Sequence, residues 1–149
     1  LVLLDLRTRE TTALTTGPFD ELKPSWSPDG RLIAFHSKRS GDPDRNETWG
    51  LYVIEPRASA PARQVTEYVG QGADTEWAPP AEWSPDGQQL AFVAGGDPKW
   101  LYYAGYGVAT VPVAGGNPVR LTAGLDRNTV QPTWTADGRS LRFLIEDDR

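Results

Sequence analysis

The side chains that could do chemistry in this sequence are one histidine, several serines and a few recurring aspartates. A nucleophile of the Gly-x-Ser-x-Gly kind needs glycine two positions before and two positions after the serine, because the sharp turn must expose the hydroxyl. No serine of this chain meets that condition. The one histidine, His36, cannot act as the base of a triad without its partners, so we interpret it as a structural residue of a strand.

Carboxylates offer a second kind of chemistry, either metal binding or acid and base catalysis. Three of them recur at the same place in a repeat: Asp29, Asp86 and Asp137. They therefore belong to three separate units, and each is explained by its own turn. Residues 42–47 begin like a calcium loop, but Glu47 stands where glycine is needed and Val53 where a bidentate glutamate is needed. The sequence predicts no metal site.

The remaining candidates are two glycine pairs, an aromatic cluster and an acidic segment. Gly105 and Gly107 lack the third glycine and the following helix of a phosphate-binding loop, and Gly115-Gly116 is typical of a hairpin turn. The aromatic cluster is Trp100, Tyr102, Tyr103 and Tyr106. Core packing or contact with a neighbouring domain explains it better than a substrate-lining patch does. The acidic segment 146–148 is interpreted as a solvated turn.

We therefore predict no catalytic, cofactor-binding or metal-binding residue, and we expect no cofactor. Substrate-binding residues stay unknown from the sequence.

A repeated turn organises the chain. Trp26-Ser27-Pro28-Asp29-Gly30 returns as Trp83–Gly87 and, with threonine and alanine in the middle, as Trp134–Gly138. Proline suits the second position of a type I turn, aspartate the third, and glycine the position with positive φ. A run of apolar strand formers follows each copy, so each copy is predicted to be strand, turn, strand.

Two further strands follow each complete copy, which gives four strands in each unit of about 40–50 residues, the signature of a propeller blade. The second strand is apolar on both faces, for example Leu32 to Phe35, as neighbouring blades require. We predict an all-β fold, a β-propeller fragment of four-stranded antiparallel blades with about three blade-equivalents of a larger ring. The partial propeller domain, 1–149, divides into 1–16 (trailing half blade), 22–66 (blade), 81–122 (blade) and 131–149 (leading half blade).

Composition limits the possible partners and surroundings. A net charge of −5 argues against nucleic acid, which needs a clustered basic face, and no window is apolar enough for a membrane span. The chain has no cysteine, which excludes disulfides but does not decide the compartment; the cytoplasm is favoured over the periplasm. With no initiator methionine, and a first residue inside a predicted strand, the chain is expected to be a piece of a longer one.

Three blade-equivalents are fewer than the four to eight blades that close a ring. There are two ways to complete the ring. Either the remaining blades lie on further sequence, which is the alternative we favour, or two copies close a six-bladed ring together. An oligomer is accordingly among the possible states.

The repeat resembles a known group. Trp-Ser-Pro-Asp-Gly followed by an apolar strand ending in Ala-Phe is similar to the repeat of TolB-type propellers and of the propellers in the prolyl oligopeptidase family of serine peptidases. Residues 44–53, Val111–Gly116 with Arg120-Leu121-Thr122, and the stretch from Leu125 to Leu144 resemble the acylaminoacyl-peptidase and dipeptidyl-peptidase-like members. TolB repeats usually have shorter links between blades, so the peptidase side is favoured.

The peptidase resemblance implies a non-catalytic cap. In that family the propeller covers an α/β-hydrolase domain of the same parent chain and restricts access to short or N-blocked peptides. The expected partners are then that domain and the parent's peptide substrates, and this segment carries none of the triad. The alternative is a TolB-like protein-protein interaction scaffold without enzymatic activity.

Overall fold

The computed structural model describes residues 1–39, 49–66, 79–95 and 105–146. Within these ranges the chain forms twelve β-strands and no helix, so it has no helix there that could cross a membrane. The strands are β1 Val2–Leu4, β2 Thr11–Ala13, β3 Glu21–Trp26, β4 Ile33–Ser37, β5 Gly50–Ile54, β6 Arg63–Thr66, β7 Glu82–Trp83, β8 Gln89–Ala94, β9 Gly107–Pro112, β10 Val119–Arg120, β11 Thr129–Trp134 and β12 Leu141–Ile145.

Two four-stranded antiparallel sheets make up the centre of the molecule. Blade A contains β3, β4, β5 and β6 side by side in chain order, and blade B contains β7, β8, β9 and β10 in the same way. Phe35 of β4 lies opposite Tyr52 of β5, and Phe92 of β8 lies opposite Ala109 of β9. The predicted all-β class and the antiparallel four-stranded blades of a propeller fragment are confirmed.

Two hairpins flank these blades. The N-terminal hairpin is β1 with β2, where Leu3 lies opposite Thr12, and the C-terminal hairpin is β11 with β12, where Trp134 lies opposite Leu141. β11 packs against β8 and β9 of blade B. The chain therefore stacks a hairpin, two blades and a second hairpin, one after the other.

Apolar side chains fill both faces of blade A. On one face Ile33, Phe35, Tyr52 and Ile54 pack with Leu14, and Leu1 and Leu3 of the N-terminal hairpin complete that cluster. On the other face Ala34, Trp49, Leu51, Val53 and Val65 pack against Ala81, Trp83, Leu90, Phe92, Ala94, Ala109 and Val111 of blade B. Each fully buried large apolar side chain contributes roughly 1.5–3 kcal/mol. This two-sided burial explains why β4 and β8 lack polar alternation.

The first strand of a blade carries an irregularity that the sequence did not reveal. The register shifts between Leu22 and Ser25 in β3 and between Val130 and Thr133 in β11. At the shifts Lys23 has φ 55° and Gln131 has φ 54°, which are unusual values for residues other than glycine. The corresponding position of blade B is Pro80, whose ring fixes φ near −65°. Blade B cannot form this bulge, and its first strand, β7, is the short Glu82–Trp83.

Candidate functional site

The three repeated turns have one common geometry. In each, the glycine N–H donates to the carbonyl oxygen three residues earlier, at 2.8–2.9 Å, and the glycine has φ 68°. The first residue, Ser27, Ser84 or Thr135, donates its hydroxyl to the Oδ1 atom of the aspartate at 2.6–2.7 Å. The same hydroxyl oxygen accepts an N–H from the strand that follows, at 2.9–3.0 Å. These bonds tie each turn to its own hairpin.

The turns lie next to one another. A Cβ atom placed on Gly87 would stand 3.8 Å from the Cδ atom of Pro28, and one placed on Gly138 would stand 3.5 Å from the Cδ atom of Pro85. Proline of one turn thus lies beside glycine of the next. The three turns form a continuous row, called the turn row below, comprising residues 27–30, 84–87 and 135–138.

The aspartates of the turn row are held as exposed carboxylates. In every copy the hydroxyl of the first turn residue, and then the backbone N–H two positions after the aspartate, lowers the pKa of the carboxyl group. This holds for Asp29, Asp86 and Asp137. A carboxyl group with a lowered pKa is a poor proton donor at neutral pH. The row can present fixed negative charge, but its carboxylates are not arranged as an acid and base pair.

Tryptophan joins each unit to the one before it. The indole N–H of Trp83 donates to the carbonyl oxygen of Ser25 at 3.2 Å, and that of Trp134 donates to the carbonyl oxygen of Glu82 at 3.3 Å. In both cases the acceptor is the residue immediately before the preceding tryptophan. The Ser25 hydroxyl adds a bond of 2.6 Å to the carbonyl oxygen of Ala81. The repeated tryptophan therefore has a structural role between blades.

His36 lies in the interior of the fold. Its side chain is 2% exposed, and in the described part of the chain neither ring nitrogen finds a hydrogen-bond partner. Burial, and to a lesser extent the positive charge of Lys23, lowers the pKa of this imidazole to about 4. A neutral imidazole without partners and away from solvent has no access to a substrate. Its position fits the structural interpretation given above.

The other sequence candidates are only partly covered by the described ranges. Residues 42–47, Trp100, Tyr102 and Tyr103 lie outside them, as do Asp147 and Asp148. Tyr106 is half-buried, and its backbone N–H donates to the Oδ1 atom of Asn128 at 2.8 Å. Glu146 is exposed and accepts a bond from the same Asn128 side chain.

The glycine pairs are parts of strands and turns. Gly107 begins β9, whereas Gly115 and Gly116 have φ 102° and 142° in the connection after that strand. Within the ranges that the structure describes, no three histidine or carboxylate side chains stand close enough together to hold a metal ion.

Sequence reasoning missed a half-buried cation. The guanidinium of Arg39 pairs with the carboxylate of Glu21. It also stands 5.1–5.6 Å from the centres of three aromatic rings, those of Phe19, Phe35 and Tyr52. Burial acts to raise the pKa of Glu21, but hydrogen bonds from the amino group of Leu1, from Thr15 and from Arg39 lower it below its usual value. These residues come from separate elements, so no local pattern could have shown the cluster.

A second missed feature is a pair of buried hydroxyls. Thr122 and Thr129 share a hydrogen bond of 2.7 Å, and both accept the N–H of Val108, at 2.9 and 3.0 Å. The pair connects β9 of blade B to β11 of the next sheet. The nearest signal in the sequence is the pair Leu121-Thr122 just after β10, and it does not indicate that Thr122 meets Thr129.

Comparison with known proteins yields structures and no sequence family. No protein-family model and no curated protein matches this sequence. Among solved structures, the chain is similar to TolB from Acinetobacter baumannii, with 19% identity, a TM-score of 0.63 and 95% of this chain covered. It is also similar to a protein described as a TolB from Agrobacterium tumefaciens, with 18% identity, a TM-score of 0.52 and 94% covered.

The chain spans 31% of the first of these structures and 59% of the second. Both neighbours fall on the TolB side of the resemblance, and neither supports the prolyl oligopeptidase assignment. At this level of identity the likeness concerns the fold alone. The chain has the fold of a TolB-like β-propeller fragment.

Proposed function

We propose that this chain is a propeller module that acts by holding another protein and performs no chemistry of its own. The structural likeness to TolB proteins along nearly the whole chain supports a binding propeller as the broader interpretation. The observation that carries the proposal is the turn row, since its aspartates are exposed, its turns lie side by side and each turn is fixed by its own hydrogen bonds. Such a surface suits recognition, where fixed groups lose little conformational entropy when a partner binds.

The chemistry of the turn row defines what it would hold. The Oδ1 atom of each aspartate accepts a hydrogen bond within its turn, and each of these carboxylates is exposed, so each can accept further hydrogen bonds from a partner. At Asp29 the Oδ2 atom lies 3.7 Å from the Nε atom of the exposed Arg31. A partner that offers cationic side chains or N–H groups at the spacing of the blades would fit this row.

A matched pair of variants tests the proposal. The first changes Asp29, Asp86 and Asp137 to asparagine. Asparagine keeps the Oδ1 acceptor but replaces the Oδ2 atom by an amide nitrogen. The second changes three exposed carboxylates elsewhere, Glu10→Gln, Glu55→Gln and Asp126→Asn. Both remove three negative charges from a chain of net charge −5.

The assay measures binding of proteins that the immobilised chain retains, identified by mass spectrometry and then titrated individually. We expect the partner's affinity to fall by about tenfold or more in the turn-row variant, which corresponds to about 1.4 kcal/mol, and to be unchanged in the control. The proposal is contradicted if the two variants bind the partner with equal affinity, or if the unmodified 149-residue chain retains no protein.

A second candidate is the cap of a serine peptidase that gates the access of short or N-blocked peptides to a separate α/β-hydrolase domain. Its support is the resemblance noted above and the length of the connections, such as residues 67–81 between β6 and β7. Physically, a cap selects by excluding large substrates and needs no tight binding of small ones.

The cap is tested on the intact parent polypeptide with a fluorophosphonate probe that labels active-site serines. Labelling, together with a Gly-x-Ser-x-Gly domain after the last blade, supports the cap. If the parent polypeptide is not labelled, the cap proposal is wrong and the binding-module proposal remains. In either case the 149-residue chain alone is expected to hydrolyse no peptide.

A further inference from the structure

The joint between blade A and blade B, called the A–B joint below, is held by hydrogen bonds at the end next to the turn row. The carbonyl oxygen of Ser25 accepts the indole N–H of Trp83 at 3.2 Å, and the Ser25 hydroxyl donates to the carbonyl oxygen of Ala81 at 2.6 Å. On the outer side, Arg63 of blade A donates to the carbonyl oxygen of Val113, which follows β9, at 2.8 Å. These bonds fasten the turn-row end of the joint.

The far end of the A–B joint, where β4 reaches Ser37, contains buried polar groups without partners. His36 lies opposite Leu51 in the pairing of β4 with β5, and Leu51 packs against blade B. Directly paired residues point to the same face of a sheet, so the imidazole faces blade B as well. Trp49, just before β5, packs on this face and is 2% exposed. In the described part of the chain its indole nitrogen, like both nitrogens of His36, has no hydrogen-bond partner.

The other copies of the repeat place an apolar side chain where blade A has the imidazole. His36 stands ten positions after the tryptophan of its copy, where the second copy has Val93 and the third has Leu144. Val93 is buried in blade B, as His36 is in blade A. Of the three copies in this chain, only the first therefore puts a group that can bind a proton at this place.

The next joint along the chain is fastened at the corresponding end. There the hydroxyls of Thr122 and Thr129 share a hydrogen bond between blade B and the C-terminal hairpin, and both accept the N–H of Val108. Thr129 stands five positions before the tryptophan of its copy; in the second copy that residue is Ala78, followed by Pro79. Neither side chain has a hydroxyl. The A–B joint therefore cannot form this pair of hydroxyls at its far end.

Positive charges lie near His36 on the same blade. Burial first, and then the positive charge of Lys23 on β3, lowers the pKa of the imidazole to about 4. The ammonium group of Lys38 lies over the Trp49 ring, 4.9 Å from its centre. A second positive charge on His36 would thus be added beside two existing ones.

Among the described residues, no carboxylate faces the imidazole to balance such a charge. The carboxylate of Glu21 pairs with Arg39, and the guanidinium of Arg39 lies over Phe35, on the opposite face of blade A. The described residues of blade B that pack in this joint are apolar: Ala81, Trp83, Leu90, Phe92, Ala94, Ala109 and Val111.

We propose that the A–B joint is an acid-sensitive hinge, in which protonation of His36 opens the far end while the turn-row end stays closed. An imidazolium cation without a counter-charge is costly between two apolar faces, and opening lets water solvate it. The bonds that hold the other end join indole, hydroxyl, guanidinium and carbonyl groups, and none of these gains or loses a proton between pH 7 and pH 5. The turn row lies at the closed end and keeps its geometry.

The pH range of the hinge follows from the two pKa values of His36. In the open joint the imidazole meets water and has its ordinary pKa of 6.5, whereas in the closed joint its pKa is about 4. Below pH 6.5 the open form binds more protons, so its population rises as the pH falls. From pH 7 to pH 5 the equilibrium constant for opening should increase by about 20-fold.

Hydrogen exchange of two indole N–H groups, followed by NMR, tests the hinge. Trp49 reports the far end of the joint and Trp83 the turn-row end, and the variants Trp49→Phe and Trp83→Phe identify their signals. Dividing each exchange rate by that of a free tryptophan peptide at the same pH gives the opening constant of each site. We expect the opening constant of Trp49 to exceed that of Trp83 by at least about tenfold at pH 5, and to rise by about 20-fold from pH 7 to pH 5.

His36→Leu places in blade A the residue that the third copy has at this position, and it should abolish the rise. Glu55→Gln is the control, because it removes an exposed carboxylate at the end of β5 and leaves His36 in place, so the rise should remain. If the leucine variant does not fold, His36→Val, which copies blade B, replaces it.

Three results overturn the proposal. The first is an equal opening constant for Trp49 and Trp83 at pH 5, which would mean that the joint opens only when the whole fold does. The second is an opening constant of Trp49 that is the same at pH 7 and pH 5. The third is a rise that persists after His36 is replaced. The first two need only the unmodified chain, so they decide the case in which no His36 variant folds.

Discussion

Replacing His36 should remove the pH dependence of stability that the burial of its imidazole produces. The imidazole is neutral in the folded protein because burial disfavours its charged form, and its pKa falls from 6.5 to about 4. In the unfolded chain the imidazole binds a proton below about pH 6.5. Lowering the pH below about 6.5 protonates the imidazole in the unfolded state but not in the folded state. The folded protein therefore loses stability as the pH falls from about 6.5 towards about 4.

The size of the effect follows from the difference between the two pKa values. At 1.36 kcal/mol for each pH unit, a difference of about 2.5 units corresponds to a loss of about 3 kcal/mol by pH 4. About half of that loss should already be present near pH 5.3. At neutral pH the contribution is absent, since the imidazole is uncharged in both states.

Denaturant unfolding followed by tryptophan fluorescence at a series of pH values measures this effect. His36→Leu keeps a similar volume and removes both unpartnered nitrogens, so we expect neutral-pH stability to be unchanged or higher. From pH 7 to pH 4 the free energy of unfolding of the variant minus that of the unmodified protein should rise by about 3 kcal/mol. Carboxylates with lowered pKa, such as Glu21, titrate in both proteins and cancel in this difference.

Two results would refute the reasoning. One is a free-energy difference between the parent and His36→Leu that stays constant from pH 7 to pH 4. The other is independent of any variant: His36 is the only histidine, so its ring protons form the only imidazole signals in an NMR spectrum. A titration of those signals near pH 6.5 in the folded protein would show that the imidazole is accessible to water.

Three further predictions concern the repeat and are measured as free energies of unfolding. Gly30→Ala should destabilise by about 1–2 kcal/mol because φ is 68° there, although a Cβ atom would meet no neighbour within 4 Å. Ser84→Ala should cost about 0.5–1.5 kcal/mol, because the N–H of Gln89 loses its acceptor in a partly buried hydrogen bond. Trp83→Phe should cost about 0.5–1.5 kcal/mol for the lost indole bond to the preceding blade, in addition to the lost packing.

The glycine and serine predictions each have an internal control. Gly124→Ala should be neutral or stabilising, because Gly124 has open space around it and no positive φ. Ser84→Thr should be tolerated, because Thr135 makes the same bonds in the third copy. Equal costs for the two glycines, or for the two serine variants, would contradict the turn geometry. A Trp83→Phe variant as stable as the parent would contradict the role given to the indole N–H.

The parts of the fold that the sequence predicted are those that local chemistry decides. Glycine is the residue that most readily takes φ 68°, so Gly30, Gly87 and Gly138 located the hairpins. The unbroken apolar run that contains β4 indicated a strand covered on both faces, and the structure buries it on both. Strand order within a blade followed from the usual pairing of strands that are consecutive in the chain.

The parts that the sequence did not predict depend on residues that are far apart along the chain. The bulges at Lys23 and Gln131 hold non-glycine residues at positive φ against their usual preference, and no local sequence pattern indicates them. Arg39 meets its aromatic rings only after three elements come together. For the candidate site, the sequence located each turn, but it could not show that the three turns touch.

The tryptophan contact between blades has a consequence for how such a molecule can change over generations. The indole of one unit is met by a main-chain carbonyl oxygen of the unit before it, and every amino acid supplies that atom. The joint between neighbouring units is therefore insensitive to which side chain stands at the receiving position. Units whose sequences have diverged widely can still be joined in the same way. Duplication or exchange of whole units therefore needs no compensating substitution in the neighbouring unit.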